Sequence, residues 1–138
     1  ALSPDGKWVA YTSNESGTNE VYVRPFPDAG GGRWQVSNGG GTQPVWSPDG
    51  RELFFLDTGA HLTAARVQTT PTFAVAGLTQ LFDASGYLLD AFHQSYDLAP
   101  DGQSFIFARP RRQGAGLRAP QLVWADHWFT DIEARLKQ

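Results

Sequence analysis

At 138 residues, 41% of them hydrophobic and 13% aromatic, the chain has the length and apolar content for one domain with a packed core. Eleven basic against 14 acidic residues give a net charge of -3, which argues against a general nucleic-acid binder; the lack of cysteine excludes disulfides and thiolate zinc sites. No apolar run approaches the length of a transmembrane helix and no basic-then-apolar leader opens the sequence, so no membrane insertion is expected.

The chain opens on "LSPDGKWVAY". The same turn returns as "VWSPDGRELFF" from Val45 and as "LAPDGQSFIF" from Leu98, with Pro4, Pro48 and Pro100 standing 44 and 52 positions apart. A period of roughly 40–50 residues marks a stacked or radial repeat. Proline presets the first central position of a type I turn, aspartate accepts from nearby amides, and glycine supplies the left-handed residue that closes the hairpin. Asp5, Asp49 and Asp101 therefore read as turn formers rather than metal ligands, since each belongs to a separate repeat.

A strand is predicted after each turn: "KWVAYTS", "RELFFLD" and "QSFIFAR". Their near-continuous apolar character fits strands buried on both faces. A further strand follows each, from Glu20, His61 and Gln121. An outer strand appears twice, as "RWQVS" from Arg33 and "TQLFD" from Thr79. The next inner strand then begins at Gln43 and again at Gln94. Four strands per repeat, the outermost leading to the next inner one, make a propeller blade. The third repeat lacks its fourth strand; instead "HWFTDIEARLKQ" switches to helical spacing, which predicts a short closing helix from about Asp131 to Lys137.

At Pro44-Val45-Trp46-Ser47-Pro48-Asp49-Gly50 the sequence resembles the TolB-like propeller repeats, with partial copies at Leu2–Gly6 and Leu98–Gly102; its ending resembles the propellers fused to bacterial serine/threonine kinases. The expected fold is all-β: a TolB-like β-propeller segment of three four-stranded blades, the last incomplete, with a short C-terminal helix. One segment, 1–138, divides into blade 1 (1–41), blade 2 with a long exit loop (42–93), blade 3 (94–128) and the closing helix (129–138). Propellers close with about four to eight blades, so a homodimer completing a six-bladed ring is expected. The resemblance implies a binding or sensor module, with a small-molecule or peptide ligand or partner at the channel mouth, and an extracytoplasmic or periplasmic location.

Nucleophile-elbow, zincin and P-loop motifs are missing from the sequence. The Gly-rich "NGGGT", Asn38 to Thr42, reads as the tight connection between blades 1 and 2. Its counterpart between blades 2 and 3, "ASGYLLDAFHQ", is longer, and long loops on rigid scaffolds carry function. It holds Tyr87, Asp90 and His93; His61 begins a third strand on the same face, opposite the proline turns. His93 with Asp90 or Asp97, doubled by the two-fold axis, is the candidate set for a divalent zinc or manganese ion; the structural alternative is an imidazole that hydrogen-bonds its own loop. Such a metal would make the protein a hydrolase of esters or phosphoesters, the alternative to the binding module. Arg111, Arg112 and Arg118 cluster in "RPRRQGAGLR" and, with His61 and Tyr87, form the candidate ligand or anion site; a solvated hairpin tip is the preferred reading of that arginine loop. His127 is expected to pack beside Trp124 and Trp128, and Trp8, Trp34 and Trp46 in the blade core or at a seam.

Overall fold

A computed structural model describes residues 1–109 and the strand 121–125. The backbone forms three antiparallel sheets. The first contains β1 (Trp8–Ser13), β2 (Glu20–Pro25) and β3 (Trp34–Gln35), in that order. An isolated bridge from Leu2 to Val9 occupies the place of an inner strand beside β1. The second is the full four-stranded unit: β4 (Thr42–Trp46), β5 (Glu52–Leu56), β6 (His61–Gln68) and β7 (Ala74–Asp83). The third places β9 (Phe105–Arg109) between β8 (Tyr96–Leu98) and β10 (Gln121–Ala125). Each strand expected from the repeat is present. β7 begins at Ala74 rather than near Thr79, and its register against β6 shifts twice. The expected closing helix lies outside the described residues, as do Arg111, Arg112, Arg118, His127 and Trp128. Among the described residues no helix is long and apolar enough to cross a membrane.

The chain divides into two compact units, Ala1–Asp83 and Ala84–Gln138. The first holds the sheets of blades 1 and 2, and its core lies between them. Ala10, Val21, Val23 and Val36 from blade 1 pack with Trp46, Leu53, Phe55, Ala65 and Val67 from blade 2. β5 runs Leu53, Phe54, Phe55, Leu56 with all four buried. Leu53 and Phe55 belong to this cluster, and the strand's two-residue period sends Phe54 and Leu56 to the other face. A sheet covered on both sides cannot show the simple alternation of a half-buried strand, which is why the apolar runs are unbroken. Phe73, on the β6–β7 connection, closes the core: its ring lies 5.4 Å from Trp8 and 5.7 Å from Trp34, and those two rings meet edge-on at 5.6 Å. Trp46 is buried and Trp8 and Trp34 are partly buried, as core and seam residues should be. In the second unit, Tyr96, Phe105 and Phe107 are buried, with Tyr96 stacked on Phe107 at 5.4 Å.

The repeated turn is built three times with one hydroxyl in two different places. In the first copy Ser3 Oγ donates to Asp5 Oδ1 at 2.6 Å and accepts from Trp8 N at 3.0 Å. In the second Ser47 Oγ donates to Asp49 Oδ1 at 2.6 Å and accepts from Glu52 N at 2.9 Å. The third copy has Ala99 at that position. There Asp101 Oδ1 takes Ser104 N at 3.1 Å directly, and Asp101 Oδ2 accepts the Ser104 hydroxyl at 2.9 Å. Gly6, Gly50 and Gly102 all sit at φ between 67° and 70°, the left-handed conformation this turn requires. The Ser3 and Ser47 hydroxyls hold the carboxyls of Asp5 and Asp49 below the ordinary range, and the amide of Gln103 does so for Asp101.

Candidate ligand-recognition site

The end of each sheet remote from the proline turn carries the residues with chemistry to offer. In blade 1 this end is organised by Glu20, the first residue of β2 and 5% exposed. Its Oε1 accepts from Gly40 N at 2.9 Å and Gly39 N at 3.2 Å, and its Oε2 accepts the Ser37 hydroxyl. Ser37 Oγ in turn accepts from Val21 N at 2.8 Å. A buried carboxylate needs such partners, and here they come from the connection to blade 2. Gly40 has φ +113°, and a Cβ there would lie 2.2 Å from Thr58 Cγ2, so the "NGGGT" connection needs glycine at that point for both conformation and space.

The corresponding end of blade 2 is the β5–β6 turn. Asp57 Oδ1 accepts from Gly59 N at 2.8 Å, from His61 N at 2.9 Å and faces His61 Nδ1 at 3.3 Å; Oδ2 accepts from the Gln80 side chain at 3.1 Å. Burial pushes the Asp57 carboxyl up, but the His61 amide and the Gln80 side chain outweigh it and the net displacement is downward. Thr58 Oγ1 donates to Gly39 O at 3.2 Å, tying this turn to the connection that Glu20 holds.

In the second unit the long connection is organised in the same manner. Asp90 Oδ1 accepts from Phe92 N at 2.7 Å and His93 N at 2.9 Å, and faces His93 Nδ1 at 2.9 Å. Asp90 N donates to Ser95 Oγ at 2.8 Å. The Phe92 amide, followed by the imidazole, holds the Asp90 carboxyl below its usual range. An ionised carboxylate can only accept, so Nδ1 carries a proton and the lone pair of the neutral ring sits on Nε2. The His93 side chain is 80% exposed, and the neighbouring Phe92 is 92% exposed.

Of the residues singled out from sequence, Asp90 and His93 are brought together, and Asp97 has a separate contact. Asp97 Oδ1 accepts from Leu98 N at 2.8 Å instead. Asp90 is the partner that orients the imidazole, the position a carboxylate takes behind a metal-bound histidine. Among the described residues no group of three or more His, Asp or Glu gathers as a metal site would require. Tyr87 lies flat on Phe107 with ring centroids 4.5 Å apart, packed into its own sheet. Sequence reasoning missed Glu20 and Asp57. The usable signal was positional: Glu20 and His61 both open the strand after the repeat's central one, and Asp57 stands four residues before His61.

These sheets, joined outermost strand to next inner strand, are blades of a β-propeller. No family model and no curated protein sequence matches the chain. Solved structures do. A candidate TolB from Agrobacterium tumefaciens superposes with TM-score 0.61 at 20% identity, over 92% of this chain and 44% of that one. TolB from Acinetobacter baumannii gives 0.59 at 24%, over 91% and 28%. Oligogalacturonate lyase from Vibrio parahaemolyticus gives 0.60 at 15%, over 91% and 35%. The chain thus spans less than half the length of each. The likeness establishes the fold, that of a fragment of a TolB-like β-propeller.

Proposed function

We propose that the chain is a binding module that recognises a protein or peptide partner through the Asp90–Ser95 segment of its second unit. The observation that carries this reading is the pairing of an oriented imidazole with an exposed phenyl ring on one hydrogen-bonded loop. Phe92 offers an apolar anchor and His93 Nε2 a directional acceptor, the combination found in interface hot spots. Because the loop is held by Asp90 and Ser95, less ordering is required on binding. The likeness to TolB propellers supports an interaction role, since propellers present loops on a rigid scaffold. Selection of a displayed random peptide library on the immobilised chain tests it. Enriched peptides should lose about tenfold or more in affinity against Phe92→Ala and His93→Ala. Recovery of no binders, or binders indifferent to both substitutions, refutes it.

A second reading rests on the same Asp90–His93 pair. Two copies of the chain would close a six-bladed ring, and His93 from each would hold zinc or manganese for ester or phosphoester hydrolysis. The carboxylate behind Nδ1 supports it, because that is the arrangement of metal-bound imidazoles. Molar mass in solution, together with metal content of the wild type and His93→Ala, tests this reading: a metal-free monomer removes it.

A further inference from the structure

A groove runs along the opposite end of the first unit, where the proline turns of blades 1 and 2 lie side by side. Gly50 of the second turn comes close to Pro4 of the first: a Cβ on Gly50 would be 3.7 Å from the Pro4 ring. Between them is a cavity of about 110 Å3 walled by Asp5, Asp49 and Thr69 among others. A larger cavity of about 600 Å3 shares Asp49, Gly50 and Thr69 and extends past Arg51, Arg66 and Thr70. The combined space is within the range of small-ligand sites, roughly 300–1,000 Å3.

Its charge changes along its length. Asp5 lines the narrow part and Asp49 both parts, each with Oδ1 engaged by a serine hydroxyl and a backbone amide. Arg51 and Arg66 line the wide part only. Neither groove arginine is in an ion pair with another described residue, although the charge of Arg51 helps to lower the Asp49 carboxyl. Glu52 stands opposite Arg66 across the β5–β6 ladder; burial and the charge of Asp49 push its carboxyl up, and Arg66 draws it down. Thr69 and Thr70 add hydroxyls along the wall.

We propose that this groove binds a zwitterion, a short peptide with free termini, placing its carboxylate at Arg51 and Arg66 and its ammonium at Asp5 and Asp49. A simple anion would meet the aspartates, and a simple cation the arginines; a ligand carrying both charges satisfies each end. The site lies at the other end of the sheet from His61, and in a different unit from His93, so it is independent of the recognition loop proposed above.

Calorimetric titration of the full chain with triglycine, glycine, N-acetyl-triglycine and triglycine amide tests the proposal. Triglycine should bind, and either cap should weaken it by about tenfold, the loss of one charge-assisted contact. Arg51→Gln and Arg66→Gln should each weaken triglycine about three- to tenfold while barely changing the already weakened amide. Both arginines are exposed, so the variants keep the fold, and an unchanged circular dichroism spectrum verifies this. His93→Ala should leave triglycine binding intact. Glycine binding as well as triglycine would place the ligand among free amino acids, whereas triglycine alone would place it among peptides; either supports a zwitterion site. No binding of either, binding indifferent to both caps, or binding indifferent to both arginines overturns it.

Discussion

Ser47→Ala isolates the chemistry of the repeated turn. Ser47 is 5% exposed, and its hydroxyl performs two tasks at once: it donates to ionised Asp49 at 2.6 Å and accepts from Glu52 N at 2.9 Å. Losing a hydrogen bond to a charged acceptor costs about 1.5–3 kcal/mol, and a buried amide left without a partner about 1–3 kcal/mol. Asp49 can turn to water, so the sum is discounted and the expected loss is about 2 kcal/mol. The third turn supplies the remedy, because there alanine precedes the proline and the hydroxyl comes from Ser104. The residue equivalent to Ser104 is Glu52. Glu52→Ser in the Ser47→Ala background should rebuild the third turn and restore about 1 kcal/mol or more. Glu52→Ser alone must be measured too, since removing a carboxyl that burial disfavours has its own effect. The readout is therefore the coupling energy of the four-member cycle, from urea unfolding followed by tryptophan fluorescence, with Trp46 adjacent to the turn. A coupling within about 0.5 kcal/mol of zero, or a loss below that value for Ser47→Ala, refutes the account.

Glu20→Gln keeps a carbonyl oxygen for the N–H groups of Gly39 and Gly40 but puts an NH2 where Oε2 accepts the Ser37 hydroxyl, and should cost about 1.5–3 kcal/mol in the same urea assay. Phe73→Ala should cost about 3–5 kcal/mol and change the emission of Trp8 and Trp34, whose rings lie against it at 5.4 and 5.7 Å. Asp49 has a depressed carboxyl in the folded chain, so its stabilisation is complete above the unfolded value of about 4 and is lost as pH falls through the lower folded value. The stability gap between wild type and Asp49→Asn should accordingly be present at neutral pH and close under acid titration; a gap that widens on acidification contradicts the hydrogen-bond geometry. Light scattering coupled to size exclusion should give twice the chain mass of 15.1 kDa if two copies complete the propeller, and a folded monomer at micromolar concentration refutes self-association.

The fold was legible because its determinants are local and repeated. The Pro-Asp-Gly turn states its own conformation, and three copies of it set the frame on which the strands could be counted. What escaped was carried by contacts between segments distant in sequence. Glu20 meets Gly39 and Gly40 nineteen and twenty positions later, and nothing in "NEVYV" distinguishes a buried acid from a solvated one. Phe73 lies in a polar connection, and its burial depends on two tryptophans from the preceding blade. The early start of β7 was hidden by its two register shifts, which break the period-two signal.

The histidines show how the same residues change meaning once geometry is known. From sequence, Asp90 and His93 read either as ligands of one ion or, for His93, as an imidazole that hydrogen-bonds its own loop. In the structure Asp90 occupies Nδ1, and its Oδ1 also receives two backbone amides, so the carboxylate acts as the loop's organiser. That arrangement recurs at Asp57 and His61, where the same carboxylate oxygen takes two amides and faces the ring nitrogen. A device that appears on two unrelated loops, four residues apart in one and three in the other, follows from what aspartate does in a turn. It fixes the backbone first and the imidazole second. With a carboxylate oxygen facing Nδ1, each ring is favoured to carry its proton there, which leaves Nε2 as the acceptor of the neutral imidazole.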